Sequence, residues 1–197
     1  DLKLQINDNV RAHLLVEVDG NDIDILYKDC ERIFEVMQVF ECGEILLADS
    51  ESQKNKLWKV RRAIGEAVKS NSIYKEEDTV VPRAELAKLL RGVKSIGNDY
   101  GFQSVCYGHA GDGNLHINII KGEMSDEDWN TKLTLGIREI FELTHSLGGT
   151  LSGEHGIGLV QKDYMDIVFS EKSLDLQKGI KNLFDPNQIL NPGKIFN

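Results

Sequence analysis

Apolar residues recur along the chain with two different periods, which separate predicted helices from predicted strands. A spacing of three to four residues is typical of an amphipathic helix, whereas alternating or β-branched runs are typical of strands. The first period predicts helices over 22–40, 50–69, 83–97, 126–147, 158–167 and 171–183. Pro82 suits the entrance of the third helix, and Gly148-Gly149 is a stop signal after the fourth.

The second period predicts strands over 10–18, 44–48, 73–81, 102–109 and 114–121. The first two strands and the helix between them would form a β–α–β unit, and the last two a hairpin. This pattern predicts an α+β fold with a ferredoxin-like antiparallel sheet, covered by helices on one face, and a C-terminal helical extension. We expect the core over about 10–121 and the extension, with an active-site loop, over about 122–197.

The composition argues against several classes of function. The chain of 197 residues has a formal net charge of −9, which repels an extended polyanion, so nucleic acid is not an expected partner. No apolar run approaches the roughly 20 residues that cross a bilayer. The cysteines Cys30, Cys42 and Cys106 are odd in number and widely spaced, which predicts reduced thiols and a reducing compartment such as the cytoplasm.

Two of the 5 histidines, His109 and His116, are the first and last residues of the stretch HAGDGNLH. Asp112-Gly113 is a strong signal for a two-residue hairpin turn, because a type I′ turn needs positive φ at both central positions. With that turn His109 stands opposite His116, with Cβ atoms about 4.5–5.5 Å apart, so both imidazoles can bind one metal ion. Asn118 follows on the same face. The alternative is a pair of half-exposed polar residues, and a longer turn would shift the register.

A second cluster, LSGEHGIG at residues 151–158, places Glu154 and His155 between glycines directly after the long helix. Glycines permit sharp bends, and neighbouring residues in such a segment point in different directions. A carboxylate joining two imidazoles makes a three-ligand site with open positions, as catalytic metals require. We therefore expect Glu154 as the third ligand and His155 as a general base. The alternative is a Gly-rich connection with solvated side chains.

Two cations are candidates for binding an anionic group. Arg61 falls in the apolar stripe of the helix at 50–69, while Arg62 is turned about 100° away. An arginine on a buried stripe needs an anionic partner from the protein or from a ligand. An apolar stem with its charged head in water is the alternative. Lys75, in the strand at 73–81, is the second candidate cation.

Four segments together resemble the C-terminal part of a known enzyme family. They are HAGDGNLHIN, SGEHGIG, the LWKVRRAI helix and the ending DPNQILNPGKIF. The family is that of the flavin-linked 2-hydroxy-acid dehydrogenases and oxidases, the FAD-binding oxidase/transferase type 4 proteins. It includes the glycolate oxidase large subunit, D-lactate dehydrogenases and D-2-hydroxyglutarate dehydrogenase. The resemblance spans roughly residues 10 to 197.

The resemblance implies that this chain is a cap domain that closes over FAD and carries substrate groups. The flavin would be held mainly by an N-terminal FAD-binding domain, and the Gly-rich sequence of such a domain is absent from these residues. The resemblance also implies a divalent metal, which is zinc, manganese or iron, with His109, His116 and Glu154 as its ligands.

The same resemblance implies roles around the substrate. His155 would take the hydroxyl proton as hydride passes to the flavin, and Asn118 would orient the substrate. Arg61 and Lys75 match positions that hold the substrate carboxylate. Gly65 stands where the D-2-hydroxyglutarate enzymes have a threonine, which argues against that substrate. The implied reaction is oxidation of a D-2-hydroxy acid, of the lactate or glycolate type, to the 2-oxo acid.

We expect the intact enzyme to need its own N-terminal FAD domain as a partner, and this chain alone to be inactive. The electron acceptor, a peripheral association with a membrane and a homodimer are left open. Two alternatives come from other classes of function. One is a flavin-independent, metal-dependent hydrolase with the same three ligands, and the other is a non-catalytic ferredoxin-like domain in which Arg61 binds the carboxylate of a small ligand.

Overall fold

The structure is a computed structural model that describes residues 9–196. It divides into two compact units, one up to Glu66 and the other from Ala67 onward. Two long helices, α1 (Ile23–Gln38) and α2 (Glu51–Asn71), begin in the first unit. Both confirm the helical period of the sequence. Helix α1 begins where the Asp22 carboxylate accepts hydrogen bonds from the first free amides of the helix.

The strands predicted over 10–18 and 44–48 are wrong, and so is the β–α–β unit that they would build. Neither segment has strand hydrogen bonding in the described residues. Val16 and Leu46 in these runs are exposed. An apolar, β-branched composition favours extended backbone, but a strand also needs a neighbour whose N–H and C=O groups complete the ladder.

The second unit contains a four-stranded antiparallel sheet with three helices of 14 to 21 residues and one helix of 4 residues. The strands are β1 (Tyr74–Val80), β2 (Gln103–His109), β3 (Asn114–Ile120) and β4 (Thr150–Leu151). The helices are α3 (Leu86–Tyr100), α4 (Asp126–Ser146), α5 (Met165–Val168) and α6 (Glu171–Phe184). The strand order β2-β3-β1-β4, with α3 between β1 and β2 and α4 between β3 and β4, is the ferredoxin-like arrangement.

The α+β class is therefore confirmed, with the ferredoxin-like sheet built by residues 74–151. Helices α3 and α4 pack on one face of this sheet. Their apolar stripes meet the alternate residues of β3 that point the same way, and these side chains exclude water from a single core. The fully buried members of this core are Leu89, Val93, Ile117, Ile119, Ile137, Ile140 and Phe141.

Helix α4 ends just before Gly148-Gly149, as the sequence predicts, and α6 matches the helix predicted over 171–183. The helix predicted over 158–167 is only partly formed. Residues 158–161 are turns, followed by a 3-10 turn at Lys162–Tyr164 and the single turn of α5. Among the residues that the structure describes, no helix combines the length and apolarity that crossing a membrane requires.

Candidate metal and catalytic site

The face of the sheet opposite α3 and α4 carries His109, His116 and Asn118, three of the polar residues singled out by the sequence. Strand β3 alternates, so that Asn114, His116 and Asn118 lie on this face while Leu115 and Ile117 point into the core. Along residues 114–118 the apolar side chains therefore pack in the core, and the polar side chains lie on the other side of the sheet. We call the polar side of the sheet the site face.

The hairpin register differs from the predicted one. His109 pairs with Asn114, and the residue opposite His116 is Tyr107. The loop therefore spans four residues, 110–113, rather than two. Because the shift is two residues, His109 stays on the same face as His116, as a diagonal neighbour. Their rings meet edge to face, with centroids 6.0 Å apart.

Gly113 holds the loop against the end of β1. Its φ is +74°, and a Cβ atom at this position would overlap the carbonyl oxygen of Val81. The Val81 amide in turn donates a hydrogen bond to the Gly113 carbonyl, at 3.0 Å. The loop is thereby fixed against the end of β1 by a backbone approach that only glycine permits.

The loop after β4 brings Glu154 to both histidines. Glu154 Oε1 lies 3.0 Å from His116 Nε2 and 3.9 Å from His109 Nε2. The three donor atoms all lie within 4.8 Å of one another. Ligand atoms around one tetrahedral zinc ion are separated by about 3.3 Å, since each bond is about 2.0–2.1 Å long. The donor set His/His/carboxylate and its spacing therefore fit a divalent transition metal.

A second set of donors shares His116. Glu76, His116 and His155 also offer ligand atoms within 4.8 Å of one another. Glu76 is partly engaged elsewhere, because its Oε2 lies 3.2 Å from the ammonium of Lys69. An ion bound by the first set would need the carboxylate of Glu154, whereas an ion bound by the second set would need that of Glu76.

His155 stacks on His116 rather than joining the first set of ligands. The two imidazole planes are 10° from parallel, with centroids 4.7 Å apart. The side chain of His155 is 46% exposed, against 6% for His116. A substrate arriving at the site face can therefore reach His155, while His116 is largely shielded from water.

Asp78 is a site residue that the sequence reasoning missed. It lies on β1 directly opposite His116, and it is 1% exposed. Burial acts to raise the pKa of Asp78, but the nearby imidazole of His116 and the hydrogen bonds from the amides of His155 and Glu154 hold it well below its usual range. The same carboxylate raises the pKa of His116. An acidic residue inside a strand-like run, YKEEDTVV, was the available signal.

Asn118 is fully buried on the site face, between Glu76 and Val105 in the register. Among the described residues, neither its side-chain oxygen nor its nitrogen has a hydrogen-bond partner. A buried amide costs free energy unless it is paired, so this side chain is suited to a polar ligand group.

Of the two predicted cations, Lys75 lies in the same unit as this cluster of side chains but on the other side of the sheet. Lys75 alternates with Glu76 and belongs to the opposite face, where its ammonium lies 3.7 Å from Glu77 Oε1. Glu77 is completely buried, and burial raises its pKa to about 7. Arg61 lies on the half-buried stripe of α2, within the first unit.

The chain matches a known family and several curated enzymes. A sequence model of the family described as FAD linked oxidases, C-terminal domain, matches residues 1–195. D-lactate dehydrogenase of Anaerostipes hadrus is 36% identical over 94% of this chain and 39% of its own length. Glycolate oxidase subunit GlcD of Bacillus subtilis is 32% identical, over 98% and 41%.

A third relative, D-2-hydroxyglutarate dehydrogenase of Stutzerimonas stutzeri, is 37% identical over 84% of this chain and 38% of its own length. The chain thus spans about two fifths of the length of the curated relatives it matches. The names of these three relatives describe enzymes that act on different 2-hydroxy acids.

Proposed function

The chain belongs to the family of FAD-linked oxidases, as their C-terminal domain, and from this premise we propose that it is the metal- and substrate-binding part of a 2-hydroxy-acid dehydrogenase. The substrate would be a D-2-hydroxy acid of the lactate or glycolate type, and the product its 2-oxo acid. The observation that carries the proposal is the convergence of His109, His116 and Glu154 on one point, with His155 stacked beside them.

In this proposal His109, His116 and Glu154 hold the divalent ion, which is zinc, manganese or iron. When bound, the ion supplies a Lewis acid for the substrate hydroxyl. His155 accepts the hydroxyl proton at an imidazole nitrogen, because its ring is accessible and lies next to the ligands. The proposed ligands and the proposed base belong to one cluster of side chains from the hairpin and the loop after β4.

Asn118 would orient the substrate, since its buried amide has both a donor and an acceptor available. Arg61 remains a proposed carboxylate-binding residue. The position of Lys75 on the opposite face, paired with Glu77, argues against a direct contact between its ammonium and a substrate on the site face. FAD, held mainly by an N-terminal domain of the same enzyme, supplies the hydride acceptor when bound.

The test uses the FAD-containing holoenzyme. D-lactate or glycolate should bleach the absorbance of the oxidised flavin, L-lactate should not, and a chelator should abolish the bleaching until zinc or manganese is restored. Bleaching that survives complete removal of metal would eliminate the Lewis-acid role. Hydrolysis of esters or phosphate esters by the 197-residue chain alone would favour a metal-dependent hydrolase instead.

A further inference from the structure

We infer that Asp78 is a positioning residue that fastens the loop carrying Glu154 and His155 to the histidine hairpin. The inference rests on the proposed function for the roles of those two residues, but the fastening itself stands on contacts of the described chain. Asp78 is more than seventy residues from Glu154 in sequence, and its buried carboxylate contacts both elements.

One oxygen of Asp78 serves the loop. Oδ2 accepts hydrogen bonds from the amides of Glu154 and His155, both at 2.8 Å. The Ser152 hydroxyl donates to the same oxygen at 3.3 Å. Three donors from one short segment therefore converge on a single atom. Because the loop contains several glycines, this anchor restricts the backbone that carries the proposed third ligand and base.

The other oxygen serves the hairpin. Oδ1 accepts a hydrogen bond from Asn114 Nδ2 at 2.7 Å, and His116 Nδ1 lies 3.5 Å away. The carboxylate beside Nδ1 holds the ring so that Nε2 faces Glu154 Oε1 at 3.0 Å. When an ion occupies Nε2, the proton of the ring is on Nδ1, next to Asp78. Asp78 thus sets both the orientation of a ligand ring and the position of the facing loop.

Both oxygens must be acceptors for this arrangement. An asparagine has the same shape but replaces one oxygen with a donating amide. In one orientation that amide would face the amides of Glu154 and His155. In the other it would face the side-chain amide of Asn114. No orientation of asparagine satisfies both sides, so Asp78→Asn tests the role with almost no change in volume.

The experiment compares the unmodified chain with Asp78→Asn and with Asp112→Asn, which removes the same charge from the exposed hairpin loop. Two quantities are measured: the exchange rates of the Glu154 and His155 amides by NMR, and the affinity and visible spectrum of bound cobalt(II). We expect Asp78→Asn to speed both amide exchanges and to weaken cobalt binding by about 10–100-fold, with an altered spectrum. Asp112→Asn should behave as the unmodified chain.

Amide protection and cobalt affinity that are unchanged in Asp78→Asn would overturn the inference. If the unmodified chain binds no cobalt but Asp78→Asn alone loses amide protection, the proposed metal site fails and the positioning role stands. If Asp78→Asn does not fold, amide exchange in the unmodified chain decides. Exchange of the Glu154 and His155 amides that is clearly slower than that of the neighbouring Gly153 amide supports the inference, and equally fast exchange contradicts it.

Discussion

The imidazoles of His116 and His155 form a stacked pair, with centroids 4.7 Å apart and planes within 10° of parallel. One ring belongs to a central strand and is shielded, while the other belongs to a loop and is half exposed. In the proposed function the shielded ring binds the ion and the accessible ring exchanges protons. Under this proposal the difference in exposure therefore gives two identical side chains different roles.

Replacing His155 should separate proton transfer from metal binding. His155→Gln in the FAD-containing holoenzyme should lower kcat by about 10²–10⁴-fold, because a positioned general base is lost. The bound metal should stay at the level of the unmodified enzyme. His116→Gln is the comparison, and it should lose both activity and metal. Metal loss in His155→Gln equal to that in His116→Gln would show that His155 is a ligand and not the base.

The two possible sets of ligands can be distinguished by their carboxylates. Glu154→Gln should abolish tight zinc binding by the chain, as measured by calorimetry, because it removes the only carboxylate of the first set. Glu76→Gln, a matched change on the neighbouring strand, should leave zinc affinity within a few-fold of the unmodified chain. The reverse result would assign the ion to Glu76, His116 and His155.

A side chain at position 153 should disturb the loop that carries Glu154 and His155. A Cβ atom there would overlap Asn114 Nδ2 and lie 3.2 Å from Asp78 Oδ1. Gly153→Ala should therefore displace the Asn114 amide, destabilise the fold by about 1–3 kcal/mol and weaken metal binding. Urea unfolding and zinc calorimetry measure the two effects. Gly111→Ala is the control, since its Cβ meets nothing within 4 Å. Equal effects of the two changes would rule out this contact as the cause.

Glu77 should make stability depend on pH near neutrality. Its pKa is about 7 in the folded chain, against an ordinary 4.5, chiefly because burial disfavours the ionised form. The stabilising contribution of the neutral carboxyl is therefore complete below pH 4.5 and is lost as pH rises through about 7.

Glu77→Gln should remove that dependence. Relative to the unmodified chain, its free energy of unfolding should rise by roughly 3 kcal/mol between about pH 4 and about pH 8. Urea denaturation at several pH values provides the measurement, with the exposed Glu123→Gln as control. A difference that stays constant across this range would mean that Glu77 keeps an ordinary pKa.

The histidine hairpin shows what the sequence could predict about the site. Strand period alone placed His116 and Asn118 on one face, and the Asp-Gly signal located the turn. The predicted turn length was wrong, and the local signal could not reveal that Gly113 packs against the backbone of Val81, a residue far away in sequence. The face of His109 was nevertheless right, since the error was an even number of residues.

Other features depended on long-range contacts that local patterns do not contain. Residues 10–18 have the composition of a strand, but within the part of the chain that the structure describes they have no strand partner. Lys75 and Glu76 are adjacent charged residues, and only the pairing of β1 with β3 decides which one shares the site face. The inferred role of Asp78 depends on hydrogen bonds from Ser152, Glu154 and His155. These residues are more than seventy positions away in sequence, so local patterns could not predict the contacts.

The alternation along β3 has a consequence for how this protein tolerates change. Leu115, Ile117 and Ile119 point into the core, whereas His116 and Asn118 point to the site face. The two sets of side chains project into separate environments although they are neighbours along the chain. Substitutions at the three apolar positions should therefore lower the melting temperature, while substitutions at His116 and Asn118 should chiefly impair the proposed activity of a folded protein.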